Sequence, residues 1–90
     1  MFESEFISAC KAGDLSVESV SRLIKVFYGF SGNGAGGNLH LVLDDKNISK
    51  DNIAYCLECS IAEDDKLSEA LCRMLLRMNY KDKRKAICDA

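Results

Sequence analysis

The most regular apolar pattern in the chain lies between residues 67 and 78, where the sequence is LSEALCRMLLRM. Five side chains recur in it at the spacing of one helix face: Leu67, Leu71, Met74, Leu75 and Met78. Arg73 and Arg77 fall outside this stripe, so we expect them to point to solvent. The pattern predicts an amphipathic helix with one face in a hydrophobic core.

Helix signals also precede this segment. Apolar residues from Phe2 to Cys10 have helical spacing until Gly13-Asp14 ends the pattern. Ser16 is a predicted N-cap for an apolar stripe that continues to Tyr28, with the residues Val17, Val20, Leu23, Ile24, Phe27 and Tyr28. Leu15, ahead of the cap, can pack on Val20 as a hydrophobic staple.

A third helix is predicted to begin after Ser49, whose hydroxyl can cap it. Its expected inner face comprises Ile53, Cys56, Leu57, Ser60 and Ile61. Asp64 or Asp65 is the predicted cap of the helix over residues 67–78, and residues 80–88 predict a short basic helix held by Ile87. The short apolar run Leu39–Leu43 fits one or two helical turns best, with a strand as the alternative.

These elements predict one domain over residues 1–90, an all-α bundle of about five or six short helices. The composition, with 48% hydrophobic and 29% charged residues, is that of a folded protein. No apolar run approaches the roughly 20 residues that a membrane-spanning helix needs. The acidic start MFESEF lacks the features of a signal peptide, so we expect a cytoplasmic protein with no membrane partner.

The five cysteines are predicted to be free thiols, because an odd count without a signal peptide argues against a disulfide framework. Cys56 and Cys59 have the CxxC spacing of zinc and redox sites. Two ligands do not complete a tetrahedral zinc site, and the pair lies inside a predicted helix instead of at its N-terminus. We therefore expect no metal and no cofactor, with Cys56 and Cys72 buried and Cys59 more accessible.

Residues 29–38 form a glycine-rich segment, GFSGNGAGGN. Three of its glycines have the GxGxxG spacing of dinucleotide-binding loops: Gly32, Gly34 and Gly37. That site requires a preceding strand, whereas an amphipathic helix precedes this segment. The preferred interpretation is a loop that contacts a partner through Phe30 and Asn33. A small-ligand or nucleotide site formed by the glycines and His40 is the alternative.

His40 is the single histidine of the chain, and Asp44 follows it at helical reach. The pair could orient an imidazole for general-base chemistry, but no nucleophile is placed beside it by any recognisable spacing. A structural imidazole in a non-catalytic protein is therefore the expectation.

Charge is distributed unevenly along the chain. Residues 44–69 contain eight acidic and three basic side chains, whereas residues 70–90 contain six basic and two acidic ones. The net charge of −2 gives no dominant basic face, so direct nucleic-acid binding is not expected.

Two stretches resemble known proteins. Residues 9–15, ACKAGDL, followed by Val20 and Leu23-Ile24, are similar to the helix–turn–helix of an ankyrin repeat, and residues 38–43, NLHLVL, resemble the histidine-containing segment of that family. The family's threonine-proline turn is absent. Residues 36–45, GGNLHLVLDD, resemble a segment of small uncharacterised phage and prophage proteins. The first likeness implies paired helices, with His40 as a structural hydrogen-bonding residue, and the second implies a virus-encoded accessory protein.

Together these observations predict a small non-catalytic protein–protein interaction module. The phage likeness makes a host protein the expected partner, and an inhibitor of a bacterial defence system such as CRISPR–Cas a natural instance. Acidic helix surfaces are expected to occupy a basic groove meant for nucleic acid, through Glu58, Glu63, Asp64, Asp65 and Glu69. The basic residues Lys83, Arg84 and Lys85 are not expected to take part. A homodimer paired through the apolar face of residues 67–78 is also predicted.

Overall fold

The computed structural model describes residues 2–13, 15–26 and 48–88, and all regular secondary structure in these ranges is helical. These ranges contain five helices: α1 (Phe2–Ala12), α2 (Val17–Ile24), α3 (Lys50–Ala62), α4 (Lys66–Arg77) and α5 (Tyr80–Cys88). The predicted all-α class is confirmed. Helix α5 has the predicted bounds, and α4 begins and ends one residue before the predicted limits.

The helix ends are fixed by the residues that the sequence indicated. The hydroxyl of Ser16 accepts a hydrogen bond from the backbone N–H of Ser19 at 3.1 Å, and that of Ser49 accepts one from Asn52 at 3.0 Å. Each bond satisfies an N–H that has no partner inside its own helix. Gly13 ends α1 with a φ of +78° and donates its N–H to the last turn of that helix. Residues that carry a Cβ atom are destabilised by roughly 1–2 kcal/mol in this left-handed conformation, whereas glycine is not.

Helix α4 is central to the described core. It packs against both α3 and α1, and α5 packs against α2. Five of its apolar side chains are at most 5% exposed: Ala70, Leu71, Cys72, Met74 and Leu75. The other buried apolar side chains of the cluster are Phe6, Cys10, Val20, Ile24, Ile48, Ile53, Cys56, Ala86 and Ile87. One continuous core therefore connects all five helices.

The apolar face of α4 is thus used inside the domain, which corrects the proposed homodimer surface. Leu71, Met74 and Leu75 are buried, and Leu67 and Met78 pack against the core at its edge. No apolar stripe on this helix remains free for a second copy. The periodicity identified a buried face correctly but could not indicate whether the same chain or a partner covers it.

The inner face of α3 is narrower than predicted. Ile53, Cys56 and Ser60 are fully buried, but Ile61 is 50% exposed. A residue directly after Ser60 is rotated by about 100° around the helix axis, which takes Ile61 out of the core. Ser60 can occupy the core because its hydroxyl donates to the Cys56 carbonyl at 2.8 Å.

Arg77 is exposed, as predicted, but its guanidinium does not simply point to solvent. It donates to the backbone carbonyl of Cys10 and contacts the sulfur of Met74 at 3.4 Å. The Cys10 carbonyl is one of the last four of α1, which lack partners within that helix. Arg77 therefore ties the C-terminal end of α1 to α4.

None of the helices in the described ranges is long and apolar enough to cross a membrane. The glycine-rich segment and its flanks lie outside the described residues. So do the predictions made for the apolar run Leu39–Leu43 and for Phe27, Tyr28, Phe30, Gly32, Asn33, Gly34, Gly37, His40 and Asp44.

Candidate functional site

One exposed face of α3 and the turn after it combine apolar and acidic side chains. Tyr55 and Ile61 are 59% and 50% exposed. Glu58 lies between them at a spacing of three residues, so the three side chains occupy a sector of about 120° around the helix. Glu63 and Asp64 follow in the turn and are also exposed. We refer to Tyr55, Glu58, Ile61, Glu63 and Asp64 as the α3 surface.

The turn between α3 and α4 is a Schellman motif with an aspartate where glycine is usual. Asp64 has a φ of 57°, and its N–H donates to the Ile61 carbonyl at 3.2 Å. The N–H of Asp65 donates to the Ser60 carbonyl at 2.9 Å, and its carboxylate caps α4 by accepting from the Ser68 N–H at 3.1 Å. Asp65 therefore ends one helix and begins the next, which fixes the backbone that carries Asp64. The predicted alternative between Asp64 and Asp65 as the cap is resolved in favour of Asp65.

Three of the five acidic residues predicted to bind a partner lie together on the α3 surface. Glu58, Glu63 and Asp64 are all exposed. Asp64 has a salt bridge of 2.9 Å with Lys66, in which the two side chains are 80% and 66% exposed. An ion pair this exposed contributes little to stability, because water screens both charges.

The other two acidic residues serve the helix on which they lie. The Asp65 carboxylate is occupied as the N-cap of α4. Glu69 accepts hydrogen bonds from both Nε and a terminal nitrogen of Arg73 at 3.3 Å, and its side chain is 23% exposed. Both contacts support α4 locally, which leaves these carboxylates less available than those of the α3 surface.

Tyr55 is the functional candidate that the sequence analysis missed. Its position in the sequence could have indicated it, because Tyr55 lies three residues before Glu58 and outside the buried face formed by Ile53, Cys56 and Ser60. A hydrogen bond with the Cys59 thiol raises the pKa of Tyr55. An exposed tyrosine offers a partner both an apolar ring and a hydrogen-bonding tip.

The thiols have distinct surroundings. Cys56 and Cys72 are fully buried, and the Cys72 thiol donates to the Cys56 sulfur at 3.2 Å. This hydrogen bond lowers the pKa of Cys56, and the same bond together with burial raises the pKa of Cys72. Burial also raises the pKa of Cys10 to about 11, against a smaller opposing effect of the Arg77 charge.

None of the five cysteines forms a disulfide bond, as predicted. Cys59 is half-buried and thus more accessible than Cys56 and Cys72, which also agrees with the prediction. The close neighbour of Cys56 is thus Cys72 on another helix, and not the Cys59 of the CxxC spacing. Among the described residues, no group of three or more histidine, cysteine, aspartate or glutamate side chains is arranged to hold a metal ion.

The outer side of α5 carries the opposite charge. Tyr80, Lys81, Arg84 and Lys85 line a shallow groove there together with Cys88. Lys83 is only 5% exposed and lies on the inner side with Ala86 and Ile87, so it is not part of this basic surface. We call Lys81, Arg84 and Lys85 the α5 basic face.

No protein-family model matches this sequence, and neither a curated protein nor a solved structure matches it.

Proposed function

We propose that this protein is a non-catalytic interaction module whose α3 surface binds a basic region of a partner protein. The observation that carries the proposal is the exposure of Tyr55 and Ile61 on one helix face beside three exposed carboxylates. Apolar side chains at these positions do nothing for the core of the domain. They are the type of anchor residue that dominates binding energy at protein interfaces, where tyrosine is enriched.

The two kinds of side chain have separate roles in this proposal. Burial of Tyr55 and Ile61 against a partner supplies affinity, because each removes apolar area from water. Glu58, Glu63 and Asp64 carry one sign of charge and attract a basic surface before contact, which raises the association rate. The fixed turn adds preorganisation, because its backbone is already ordered by hydrogen bonds before the partner arrives.

The expected partner is a host protein with a basic groove that normally holds nucleic acid. The likeness of residues 36–45 to phage and prophage proteins supports this choice, and acidic residues can replace phosphate groups along such a groove. The mechanism is steric and electrostatic occlusion, with no bond made or broken. Inhibition of a bacterial defence system such as CRISPR–Cas is the instance that we propose, in the cytoplasm of the host cell.

The first experiment is a comparative pull-down from bacterial lysate with three baits: the parent protein, a Tyr55→Ala/Asp64→Gly variant and a Lys81→Ala/Arg84→Ala variant. The first variant removes an anchor and a charge from the α3 surface, and glycine suits the left-handed φ of Asp64. The second variant is a matched control on the α5 basic face. We expect one host protein to be retained by the parent and the control and to be lost from the α3 variant. Retention by the α3 variant with loss from the control would refute the proposed surface.

The captured protein is then purified and its binding measured directly. We expect the association rate to fall steeply between 50 and 300 mM salt while the dissociation rate changes little, since exposed charges are screened beyond roughly 8–10 Å. Fluorescence anisotropy with a labelled oligonucleotide tests occlusion: this protein should displace the nucleic acid from its partner. A ternary complex that retains the oligonucleotide would contradict the mechanism.

A homodimer remains a separate proposal, which would have to use a surface other than the α4 face. Light scattering of the purified protein tests it, since a dimer doubles the 10.0 kDa monomer mass. A monomer at millimolar concentration would exclude it. A dimer that is lost in the Tyr55→Ala variant would show that self-association competes with partner binding at the α3 surface.

A further inference from the structure

Two thiols that are far apart in sequence meet inside the core. Cys56 lies on the inner face of α3 and Cys72 on that of α4, and both are fully buried. Their sulfur atoms are 3.2 Å apart, with the Cys72 thiol donating to the Cys56 sulfur. A disulfide bond has a sulfur–sulfur length of about 2.05 Å. The two sulfur atoms therefore need to approach by only about 1 Å to reach bonding distance.

We propose that Cys56 and Cys72 are a disulfide-forming site that reacts with peroxide and reversibly crosslinks α3 to α4. In the first step the Cys56 thiolate attacks one peroxide oxygen and the oxygen–oxygen bond breaks, which forms a sulfenic acid and hydroxide. The hydroxide takes up the proton that the Cys56 thiol released and becomes the first water. In the second step the Cys72 sulfur attacks the Cys56 sulfur and a second water leaves, carrying the proton of Cys72. The two thiols lose two electrons and two protons in total, and hydrogen peroxide is reduced to two waters.

The surroundings assign the order of these steps. The hydrogen bond from Cys72 favours the thiolate of Cys56 and so lowers its pKa, which makes Cys56 the attacking group. The same contact and burial raise the pKa of Cys72, which keeps that thiol protonated until the sulfenic acid forms beside it. Cys10 is a poor competitor because burial raises its pKa to about 11.

The burial of both sulfurs selects the oxidant. Hydrogen peroxide is scarcely larger than water and can enter a core that opens briefly, whereas a bulky disulfide such as oxidised glutathione cannot reach Cys56 without separation of α3 from α4. We therefore expect the crosslink to form faster with peroxide than with oxidised glutathione at equal concentration. The crosslink closes the chain across the α3–α4 turn, which restricts the unfolded state.

The test uses the full chain, treated with hydrogen peroxide, quenched with catalase, denatured and alkylated with N-ethylmaleimide. Before oxidation five thiols should be alkylated, and after oxidation three, with reduction by dithiothreitol restoring all five. Trypsin should release a linked pair of peptides, residues 51–66 joined to residues 67–73. Because the first peptide contains both Cys56 and Cys59, cleavage after Glu58 by a glutamate-specific protease identifies which of them is linked.

Two variants give the matched comparison. Cys59→Ser should crosslink like the parent, and Cys56→Ser should not crosslink at all. The oxidised parent should unfold at a temperature higher by roughly 10 °C or more, as expected for a loop of about 15 residues in a small domain. Five alkylated thiols after peroxide, a link through Cys59, Cys10 or Cys88, or irreversible oxidation of Cys56 would each overturn the proposal. If Cys56→Ser does not fold, the peptide map of the parent decides alone. No partner is needed, so this result stands independently of the proposed interaction function.

Discussion

Replacement of Arg77 by methionine tests how α1 is held to the rest of the domain. Methionine keeps part of the apolar stem of the side chain but removes the guanidinium that donates to the Cys10 carbonyl. A hydrogen bond that involves a charged group contributes about 1.5–3 kcal/mol. The lower end applies here, because Arg77 is partly exposed and the carbonyl keeps a second donor, the N–H of Gly13 at 3.2 Å. We therefore expect the free energy of unfolding to fall by about 1.5 kcal/mol.

Urea unfolding followed by circular dichroism at 222 nm measures this loss. With a slope of about 1 kcal/mol per molar urea, the midpoint should fall by about 1.5 M, and the melting temperature by roughly 6–12 °C. Arg73→Met is the matched control, one turn earlier on the same helix, where the arginine pairs with Glu69 at the surface. That variant should lose less than about 0.5 kcal/mol. Equal losses in the two variants would refute the argument that Arg77 anchors α1.

Three further predictions concern Asp65, Asp64 and Cys10. Asp65→Ala should cost about 1 kcal/mol in urea unfolding because it removes the cap of α4, whereas Asp65→Asn, which keeps an acceptor oxygen, should cost less than half of that. Asp64→Gly should leave stability unchanged or raise it by up to about 1 kcal/mol, because glycine adopts a φ of 57° without strain, and a clear loss would contradict the described turn. Burial raises the pKa of Cys10 from 9.0 to about 11 in the folded state. The buried thiol therefore contributes fully to the free energy of unfolding below pH 9, and this contribution is lost as the pH rises towards 11. Cys10→Ala should therefore reduce the alkaline decline in unfolding free energy by about 1 kcal/mol per pH unit near pH 10, and an unchanged decline would show that Cys10 does not titrate there.

Local chemistry made most of the helices predictable from the sequence. Ser16 and Ser49 cap their helices as expected, because a hydroxyl acts on N–H groups only three residues away. Gly13 ends α1 for an equally local reason, its access to positive φ. The stripe of α4 was also recognisable, since a helix that must bury one face repeats apolar residues at a fixed period.

The features that escaped prediction depend on contacts between distant parts of the chain. Arg77 reaches a carbonyl 67 residues earlier, and Cys72 meets Cys56 across 16 residues. No local pattern encodes such distances, so the CxxC spacing directed attention to Cys59 instead. Ile61 was wrongly predicted to be buried, because an apolar residue next to a buried one fits a wide apolar helix face as well as a narrow one. The way α4 packs against α3 shows that the buried face of α3 is the narrow one, with Ile53, Cys56 and Ser60.

The α3–α4 turn connects stability with the proposed function. Asp64 occupies a left-handed position where glycine would cost less, and its carboxylate contributes only an exposed pair with Lys66 to the fold. The proposed function gives this side chain a use, since in it the Asp64 carboxylate contacts a basic partner. Asp65 makes this arrangement tolerable, because it closes α3 with its N–H and caps α4 with its carboxylate. In the proposed function, the turn would therefore present this charge from a backbone that both helices already hold in place, and binding would need little further ordering.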